Sequence, residues 1–517
     1  MRSDSGQRVP VWTASGELPA TKPLRSDARA DVCVVGAGIT GLSTAYHLAR
    51  SGLSVVVLDD GPIGGGETGR TTAHLSNALD DRYYELERLF GQDGARRAAE
   101  SHTAAIDRIE AIVGAEGIDC DFERLDGYLF VPPGEPTDEL DRELDAAHRA
   151  GLTGVERVGR APLSSFDTGP CLRFPRQGQF DPLRYLAGLA RAVRRDGGGI
   201  FTGTAAVRIE GGSPARVETA GGPVVSAGAV VVATNASILD ELITDAVEFA
   251  YRTYAIAARV PRGAVPKALY WDTLDPYHYV RLLERGELLI AGGEDHRTGQ
   301  EDDGEERFRR LEAWTRERFP IREVEHRWSG QVLESVDGLA FIGRAPTSAP
   351  NLYLATGDSG LGMTHGTIAG LLLTDLILGR HNDWADLYCP SRLRPAAARD
   401  FLRENANTVT HYGDWLTSGD VGSEAEIRPG EGAIVRRGLV KYAVYRDEAG
   451  VLHERTAVCP HLGCIVRWNS TEKTWDCPCH GSRYDSEGRV LNGPTKTGLA
   501  ESAGVDSRFA QVRRHTP

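Results

Sequence analysis

Four cysteines and two histidines lie within 22 residues towards the C-terminal end of the sequence. The first group is Cys459-Pro-His461-Leu-Gly-Cys464, and twelve residues later comes the second, Cys477-Pro-Cys479-His480. Thiolates and imidazoles are ligands of zinc and of iron–sulfur centres. A zinc finger pairs Cys with Cys and His with His, whereas each loop here supplies one of each. The pattern therefore favours a [2Fe–2S] centre over zinc, with Cys459 and Cys477 on one iron and His461 and His480 on the other.

A glycine-rich turn is the second feature with chemical meaning. Gly36-Ala-Gly38-Ile39-Thr40-Gly41 stands between an apolar run and a helical pattern. Its glycines let the backbone approach a pyrophosphate, which accepts hydrogen bonds from N–H groups at the start of the helix. Asp59 ends the next apolar run, with seventeen residues between it and Gly41, where a carboxylate accepts hydrogen bonds from a ribose 2′-hydroxyl. These residues predict a dinucleotide site that disfavours NADP, and on their own they leave FAD and NAD both open.

Particular elements must position these residues. The order of apolar run, turn, helix and apolar run over residues 31–59 predicts a βαβ unit. Short strands are expected over 200–235, an antiparallel sheet over 250–295 and a long apolar helix over about 364–379. Residues 390–425 are polar and rich in turn-forming residues, which is typical of a linker.

The composition restricts the class of function. The 517 residues carry a net charge of −14 at pH 7, which argues against nucleic acid or an anionic membrane as the main partner. No apolar stretch approaches the roughly 18 residues of a transmembrane helix, and no export signal is visible. Eight Cys in a chain of this length do not form the framework of a secreted disulfide-rich protein. We therefore expect a cytoplasmic redox enzyme with no transmembrane segment.

Beyond the glycine-rich turn, the chain resembles flavoproteins of the D-amino-acid oxidase/glycine oxidase family. The motifs are Gly64-Gly-Gly-Glu-Thr-Gly-Arg70-Thr-Thr, Ala233-Thr-Asn, Asp337-Gly-Leu-Ala-Phe-Ile-Gly343 and Asn351-Leu-Tyr-Leu-Ala-Thr-Gly357-Asp-Ser-Gly-Leu-Gly362-Met. The resemblance covers about residues 30–380 and implies FAD as the cofactor, with the backbone amides of the last motif facing the flavin. Besides the glycine-rich turn and Asp59, it assigns these residues to the cofactor: Gly66, Arg70, Thr71, Thr72, His74, Gly357, Asp358, Gly360, Leu361, Gly362 and Met363.

The segment around His74 carries a further resemblance. Thr71-Thr-Ala73-His74 is similar to the Thr-Thr-Trp-His segment of the dimethylglycine dehydrogenase branch, whose His bears a covalent flavin bond. Ala73 stands where that branch has Trp. The departure favours the expectation that His74 lines the flavin pocket without a covalent link.

The cluster motif resembles that of Rieske proteins. The resemblance implies a disulfide between Cys464 and Cys479, and hydrogen bonds from Ser482 and Tyr484 to sulfur atoms of the cluster. Gly493-Pro494 matches the proline loop that covers the cluster in that family. Donors to sulfur and neutral His ligands stabilise the reduced cluster, so we expect a potential in the upper part of the roughly −150 to +300 mV Rieske range.

The expected fold is α/β, with a glutathione-reductase-type, Rossmann-like FAD-binding domain, an antiparallel β substrate domain and a small all-β Rieske domain. The predicted boundaries are 1–29 for a leader, 30–389 for the oxidoreductase, 390–425 for a linker and 426–517 for the Rieske domain. Within the oxidoreductase, FAD-binding segments are expected at about 30–80, 180–240 and 330–380, and substrate-domain segments at about 120–175 and 245–330.

A flavin takes electrons in pairs and a [2Fe–2S] cluster passes them singly, so the two together predict a converter from pairs to single electrons. The family resemblance implies oxidation of a C–N bond in an amino acid or amine, by hydride transfer to FAD. The cluster would then reduce an external one-electron acceptor, a protein or a quinone. Two alternatives stay open: a reductase component fed by NADH for a partner oxygenase, and a redox-sensing module. A ring-hydroxylating oxygenase is excluded, because only 37 residues follow His480 and they cannot form a mononuclear iron domain.

Aromatic and basic residues of the expected substrate sheet are the candidates for substrate contact. Arg281 would bind a substrate carboxylate bidentately, with a role in fold stability as the alternative. Tyr279 and His74 complete the predicted catalytic set. Further candidates on the substrate domain are Tyr251, Arg252, Trp271, Tyr277 and His278.

Overall fold

The computed structural model describes residues 6–14, 16, 18–132, 134–239, 246–392 and 394–501, apart from the side chains of Glu284 and Asp400. The first five residues of the predicted leader and the last sixteen of the predicted Rieske domain lie outside the described residues. The α-helices are α1 (Ile39–Arg50), α2 (Tyr83–Glu116), α3 (Asp138–Arg149), α4 (Pro182–Arg195), α5 (Gly304–Arg318), α6 (Gly362–Ile377), α7 (Ala385–Tyr388) and α8 (Ala398–Thr410).

The strands divide between an oxidoreductase part and a C-terminal part. The oxidoreductase strands are β1 (Ala28–Val35), β2 (Val55–Leu58), β3 (His74–Leu75), β4 (Glu123–Phe130), β5 (Glu156–Val158), β6 (Cys171–Gln179), β7 (Gly199–Phe201), β8 (Ala206–Glu210), β9 (Ala215–Thr219), β10 (Val224–Val232), β11 (Glu248–Arg259), β12 (Leu269–Asp272), β13 (His278–Leu283), β14 (Leu288–Arg297), β15 (Val324–Ser335), β16 (Phe341–Arg344) and β17 (Leu352–Thr356). The C-terminal strands are β18 (Glu431–Arg437), β19 (Val440–Arg446), β20 (Leu452–Thr456), β21 (Arg467–Asn469), β22 (Thr474–Asp476), β23 (Arg483–Asp485) and β24 (Val490–Asn492).

The first sheet has eight strands and contains the predicted βαβ unit. Its order is β16-β17-β10-β1-β2-β7, and β9 and β8 extend it from β10. β1 lies between β2 and β10 and pairs with both in parallel, and β17 pairs in parallel with β10. The carboxyl ends of parallel strands meet at one edge, where dinucleotides bind in such sheets. The glycine-rich turn after β1, the Ala233 segment after β10 and the Gly357 turn after β17 therefore come together.

Helix α1 forms the centre of the packing behind this edge. It contacts α4 and α6, and Leu42 and Leu48 of α1 and Leu372 of α6 are fully buried. Each such side chain stabilises the fold by about 1.5–3 kcal/mol through removal of apolar surface from water. The apolar run predicted as a helix over 364–379 is α6, which begins at Gly362.

The second sheet has nine strands and forms the substrate side of the molecule. Its order is β15-β11-β14-β13-β12-β4-β6-β3, with β5 paired to β6. The antiparallel arrangement predicted for residues 250–295 is present from β11 to β14, but β12 pairs with β4 in parallel. Alternation of apolar and polar residues indicates which face of a strand is buried, and it carries no information about the direction of a partner far away in sequence.

The C-terminal part consists of two small antiparallel sheets, β18-β19-β20 and β21-β22-β23-β24. Helix α8 and a short 3₁₀ segment, His411–Leu416, lie in the stretch predicted as a linker and contact this part of the chain. The Tyr412 hydroxyl donates to the Leu462 carbonyl at 3.1 Å, and Trp415 Nε1 donates to the Gly463 carbonyl at 2.9 Å. None of the helices in the described residues is long and apolar enough to cross a membrane.

Candidate functional site

A cavity of about 420 Å³ lies where the two large sheets meet the C-terminal part. Gly36 lines it from the first sheet, Tyr279 from the second, and Asn492 from the C-terminal part. The predicted cofactor residues that line it are Gly36, Gly38, Ile39, Thr40, Asp59, Gly66, Arg70, Thr71, Thr72, His74, Asp358, Gly360, Leu361, Gly362 and Met363. The chain thus brings the separate motifs to one site.

Gly41 and Gly357, also predicted to bind the cofactor, are not among the residues that line the cavity. A Cβ atom on Gly41 would lie 1.9 Å from the Gly36 carbonyl oxygen, so this glycine lets the turn close on itself. Gly357 has φ +68°, a conformation that an L side chain rarely adopts, and it ends the strand that precedes the Asp358 turn. Both glycines shape the site without facing the cavity.

The nucleotide end of the cavity has the features that a dinucleotide requires. Gly36 has φ +110°, and a Cβ atom there would lie 2.2 Å from the Ala233 carbonyl oxygen, so no other residue fits this close approach of two turns. Asp59 accepts hydrogen bonds from the backbone N–H groups of Ala37 at 2.5 Å and Gly61 at 2.8 Å. A carboxylate at the end of this strand is where a dinucleotide-binding fold accepts hydrogen bonds from a ribose hydroxyl. The residues fit FAD.

His74 lies on the short strand β3, in the middle of the cavity wall. Its Nδ1 is 3.1 Å from the Thr72 hydroxyl, and its Nε2 is buried with no hydrogen-bond partner among the described residues. The ring meets that of Tyr279 edge-on, with centroids 5.4 Å apart. Burial, together with the charge of Arg281, lowers the pKa of His74 to about 3. The imidazole is therefore neutral at physiological pH.

Arg281 does not occupy the position of a substrate clamp. It is fully buried and is not among the residues that line the cavity. Its Nη1 donates to the carbonyls of Thr72, Ala73 and Phe180 at 2.8, 2.6 and 3.1 Å. Burial lowers the pKa of its guanidinium to about 9. These bonds connect Arg281 to the segment that leads into His74, as expected for the fold-stabilising alternative, and its role stays a prediction.

The other substrate candidates fall into two groups. Trp271, Tyr277 and Tyr279 line the cavity, and the Tyr279 hydroxyl is 3.1 Å from that of Thr253. The remaining candidates, Tyr251, Arg252 and His278, are not among the lining residues.

The residues outside the cavity have structural partners. His278 stacks on Trp314 with centroids 4.3 Å apart and is 3.1 Å from Asp272. Arg252 is fully buried and donates to the Ser329 hydroxyl at 2.8 Å.

Four further acidic residues, which were not predicted as site residues, also line the cavity: Asp60, Glu67, Asp80 and Asp295. Asp80 Oδ2 accepts a hydrogen bond from the Tyr277 hydroxyl at 3.3 Å. Burial raises the pKa of Asp80, and burial raises that of Asp295 to about 7. Asp80 and Asp295 belong to no sequence motif. Most aspartates in loops or near strand ends are exposed, so the sequence gives no reason to select these two.

The predicted cluster-binding loops share one backbone pattern. In the first loop the Cys459 N–H donates to the Cys464 carbonyl and the Gly463 N–H donates to the Cys459 carbonyl, at 2.8 and 3.0 Å. In the second loop Cys477 and Gly481 make the equivalent bonds, Cys477 N–H to the Ser482 carbonyl and Gly481 N–H to the Cys477 carbonyl, at 2.8 and 3.1 Å. Two equivalent turns explain why each loop presents one Cys and one His.

The side chains of these loops fit a [2Fe–2S] centre. Cys459 and Cys477 share a side-chain hydrogen bond, which lowers the pKa of Cys459 to about 6. The rings of His461 and His480 have centroids 5.1 Å apart. Cys464 and Cys479 form the disulfide that the Rieske resemblance implies, and Cys477 Sγ lies within 4.8 Å of both of their sulfur atoms.

The two hydroxyl groups assigned to cluster tuning lie beside the loops. The Tyr484 hydroxyl is 3.1 Å from Cys459 Sγ, as a donor to a ligand sulfur requires. Ser482 is fully buried, and its Oγ accepts a hydrogen bond from the Thr495 N–H at 3.3 Å. That bond ties the second loop to the segment with Gly493-Pro494, which lies against Ala236 and Ile238 of the oxidoreductase part.

The interface between the two parts is continuous with the cavity. Residues 490–493, Thr495 and Lys496 line the cavity from the C-terminal side, and Asn492 Nδ2 donates to Glu67 Oε1 at 3.1 Å. Gln331 lines the cavity from β15 and its Nε2 donates to the Gly481 carbonyl at 3.1 Å. Gly481 directly follows His480, so one side chain joins the cavity wall to a cluster-binding loop.

A dinucleotide cavity that shares its wall with a two-loop Cys/His centre defines a flavin-dependent oxidoreductase with an iron–sulfur module. Comparisons with known proteins agree. The family model described as FAD dependent oxidoreductase matches residues 31–376, and that of the Rieske [2Fe-2S] domain matches residues 417–503. The chain belongs to the FAD-dependent oxidoreductase family and carries a C-terminal Rieske domain. Its cofactors are FAD and a Rieske [2Fe–2S] cluster, as predicted.

Individual relatives cover one or both parts of the chain. YhfW of Bacillus subtilis (strain 168), named as a Rieske 2Fe-2S iron-sulfur protein, is 32% identical over 489 residues, which are 93% of this chain and 95% of the relative. Gamma-glutamylputrescine oxidoreductase of Escherichia coli (strain K12) is 30% identical over 69% of this chain and 85% of its own length. The crystal structure of glycine oxidase from Geobacillus kaustophilus has a TM-score of 0.60, 19% identity and coverage of 71% of this chain and 99% of that protein, which shows a shared fold.

Proposed function

We propose that the chain is a dehydrogenase that oxidises the C–N bond of an amine or amino acid and delivers the electrons one at a time to an external acceptor. The substrate loses a hydride from the carbon and a proton from the nitrogen, and the resulting imine is hydrolysed by water to a carbonyl compound and ammonia, or an amine where the substrate nitrogen is substituted. When bound, FAD accepts the hydride and releases its electrons singly, and the Rieske cluster carries one electron at a time. An external protein or quinone then accepts the two electrons from the substrate one at a time, in two successive steps.

One contact carries this proposal, the hydrogen bond from Gln331 to the Gly481 carbonyl. Gln331 Nε2 lies 3.1 Å from the Gly481 carbonyl oxygen, so the bond joins a residue of the cavity wall directly to the backbone next to the predicted ligand His480. Gln331 is nearly fully buried, and a Cβ atom on Gly481 would lie 3.1 Å from its Nε2 and 2.2 Å from the Ala250 Cβ. The domains therefore meet without room for another molecule at this point, which favours electron transfer inside the chain.

The name of one relative supports an amine as the substrate. Gamma-glutamylputrescine oxidoreductase shares 30% identity with this chain over the oxidoreductase part. The cavity is consistent with such a substrate, because Trp271, Tyr277 and Tyr279 form an aromatic wall beside the cofactor-binding motifs. Such walls exclude water and orient a small substrate, and positioning matters more to this chemistry than a charged catalytic side chain.

His74 contacts the cofactor without a covalent link in this proposal. Its ring is neutral, is held by Thr72 and packs against Tyr279, so its position is set by the protein. Denaturation of the protein in acid should release the yellow flavin to the supernatant. Yellow colour retained on the precipitated chain would overturn this part of the proposal.

The test is anaerobic reduction of the wild-type protein and of Cys477→Ser, followed by visible absorbance and low-temperature EPR. Amines, amino acids and NADH are added separately. We expect an amine or amino acid to bleach the flavin of both proteins, and a rhombic Rieske signal to grow in the wild type alone.

The other outcomes separate the alternatives. Reduction by NADH alone would show a reductase component and contradict the proposal. Loss of bleaching in a correctly folded Cys477→Ser protein would show that substrate oxidation itself needs the cluster. That result would contradict the proposal, in which the substrate reduces the flavin before the cluster takes part.

A further inference from the structure

We propose that Asp80 and Asp295 bind the cationic amino group of the substrate and that the substrate is an aliphatic amine without a carboxylate at the reacting carbon. Asp295 is assigned as the group that takes the proton from the substrate ammonium. This inference rests on the proposed function and narrows its substrate class.

The two carboxylates are neighbours in the cavity wall, because the charge of Asp80 contributes to the raised pKa of Asp295. Asp80 Oδ2 accepts from the Tyr277 hydroxyl at 3.3 Å. The Thr253 side chain, which lowers the pKa of Asp295, has its Oγ1 3.1 Å from the Tyr279 hydroxyl. All five residues line the cavity, so the acidic group faces the space in which a substrate would bind.

Asp295 is not fully satisfied by its protein neighbours. Its Oδ1 is buried and has no hydrogen-bond partner among the described residues. A buried acceptor without a partner costs about 1–3 kcal/mol, and a donor supplied by a ligand removes that cost. An ammonium group supplies three donors and the complementary charge.

The carboxylates lie next to the turn that the flavin motif forms. A Cβ atom on Gly360 would be 3.0 Å from Asp80 Oδ2 and 3.6 Å from the Tyr277 hydroxyl. Gly360 belongs to the segment that opens α6 and is one of the predicted cofactor residues. A substrate held by Asp80 and Asp295 is therefore held beside the cofactor-binding turn.

The charge of the wall excludes a carboxylate substrate. The two basic residues with permanent charge that line the cavity are Arg70, whose Nη1 donates to the Ser329 carbonyl at 2.6 Å, and Lys496 on the Rieske side. Arg281, the expected carboxylate clamp, donates instead to backbone carbonyls. A substrate carboxylate beside Asp80 and Asp295 would add a third negative charge in a desolvated space.

The aromatic residues suit the aliphatic part of a cation. The rings of Tyr277 and Tyr279 are 5.6 Å apart and inclined by 38°. Together with Trp271 they form an apolar wall next to the carboxylates. Aromatic faces attract ammonium groups and cover methylene chains, so the same wall serves both parts of an aliphatic amine.

The proton transfer has a simple balance. The substrate ammonium loses a proton to the Asp295 carboxylate, so the neutral amine and the neutral acid form together. The nitrogen lone pair then forms the C=N bond as the hydride leaves the carbon. Burial raises the pKa of Asp295 to about 7 and the charge of Asp80 adds to the rise, while Thr253, His278 and Arg307 lower it. A pKa near the working pH suits a general base.

The first part of the test uses the wild-type holoenzyme and three probes near pH 8: butylamine, 1,4-diaminobutane and L-alanine. We expect the amines to bleach the flavin anaerobically at least about tenfold more efficiently than L-alanine, because of the charge of the site. Bleaching by L-alanine alone would overturn this inference and leave the proposed function standing. Bleaching by NADH alone would overturn the proposed function and this inference with it.

The second part compares Asp295→Asn with Asp141→Asn, a change of an exposed aspartate far from the cavity. Asp295→Asn should lower kcat/KM for the amine by at least about tenfold and remove a step near pH 7 from its pH profile. Flavin absorbance, the Rieske EPR signal and the melting temperature should be unchanged in both variants. If kcat/KM of Asp295→Asn stays within about twofold of wild type and the step near pH 7 persists, Asp295 is not the base.

Discussion

At the scale of single residues, the face of the strand on which a side chain lies does not decide whether it reaches the cavity. Tyr279 and Arg281 are two positions apart on β13 and share a face of the sheet, yet Tyr279 lines the cavity and Arg281 does not. Arg281 donates to the carbonyls of Thr72, Ala73 and Phe180. We therefore expect Arg281 to hold the backbone that leads into His74.

We predict that Arg281→Met destabilises the protein and leaves substrate recognition intact. The variant leaves three buried carbonyls without their donor, which should lower the free energy of unfolding by about 3 kcal/mol or more. Urea unfolding and steady-state kinetics with an amine measure both effects. A KM raised by about tenfold, with little loss of stability, would show that Arg281 binds substrate after all.

Glu143 gives a prediction for the pH dependence of stability. It lies on α3, is almost fully buried, and its Oε2 accepts from the N–H groups of Tyr83 and Tyr84 at the start of α2, at 2.7 and 3.4 Å. Burial raises the pKa of Glu143 from 4.5 to about 7. A raised pKa in the folded state means that the protonated form stabilises the protein below about pH 4.5 and that this contribution is lost as the pH rises through 7.

Glu143→Gln keeps the acceptor and removes the titration. The variant should match wild type near pH 4 and exceed its free energy of unfolding by up to about 3 kcal/mol above pH 8. Urea unfolding at several pH values measures the difference, with Glu139→Gln on the same helix as the control. A constant difference across the pH range would show that Glu143 does not titrate there.

The sequence could predict some of these residues and not others. The cluster ligands follow from a motif of 22 residues, because both loops are local and the Cys and His types restrict the chemistry. Asp295 and Gln331 belong to no motif, and they reach the cavity only because the second sheet folds against the first. Nothing local distinguishes Asp295 from an exposed aspartate.

At the scale of elements, the turn between β21 and β22 is one of the parts of the Rieske domain that pack into the oxidoreductase. It carries Glu472, which is fully buried and lies 4.0 Å from Arg70 and 3.7 Å from Arg252. The Ser329 hydroxyl also donates to Glu472. Burial alone would raise the pKa of Glu472, but the two arginines hold it below its ordinary value.

We predict that Glu472→Ala weakens the contact between the two parts strongly. Removal of one partner leaves two buried guanidinium groups without their carboxylate, which costs about 3–5 kcal/mol. Thermal unfolding and limited proteolysis measure the loss, and Glu448→Ala in an exposed turn of the Rieske domain is the control. Equal melting temperatures for the two variants would mean that this ion cluster does not hold the domains together.

The elements themselves were predictable to different degrees. The βαβ unit and the apolar helix α6 follow from periodicity and glycine positions. Helix α8 could not be predicted in this way, because its segment is polar and prolines precede it. It becomes recognisable only in the structure, where it lies beside the Rieske domain. The parallel pairing of β12 with β4 depends on residues more than a hundred positions apart.

At the scale of the whole molecule, the cavity and the cluster loops meet at Gln331. We predict that Gln331→Leu, which keeps the size of the side chain and removes its donor, leaves flavin reduction by the amine unchanged and slows reduction of the cluster by about tenfold or more. Stopped-flow absorbance follows the first step and freeze-quench EPR the second. Equal slowing of both steps would show that Gln331 acts on the flavin site and not on the transfer.

The most direct test of the whole account is the order of events in the wild-type protein after anaerobic mixing with one equivalent of an amine. Flavin absorbance and the Rieske EPR signal are recorded on the same samples. The account predicts that flavin absorbance falls first and that the Rieske signal then grows while part of the flavin absorbance returns. A bleached flavin beside a cluster that stays oxidised long after the flavin absorbance has stopped changing would contradict it.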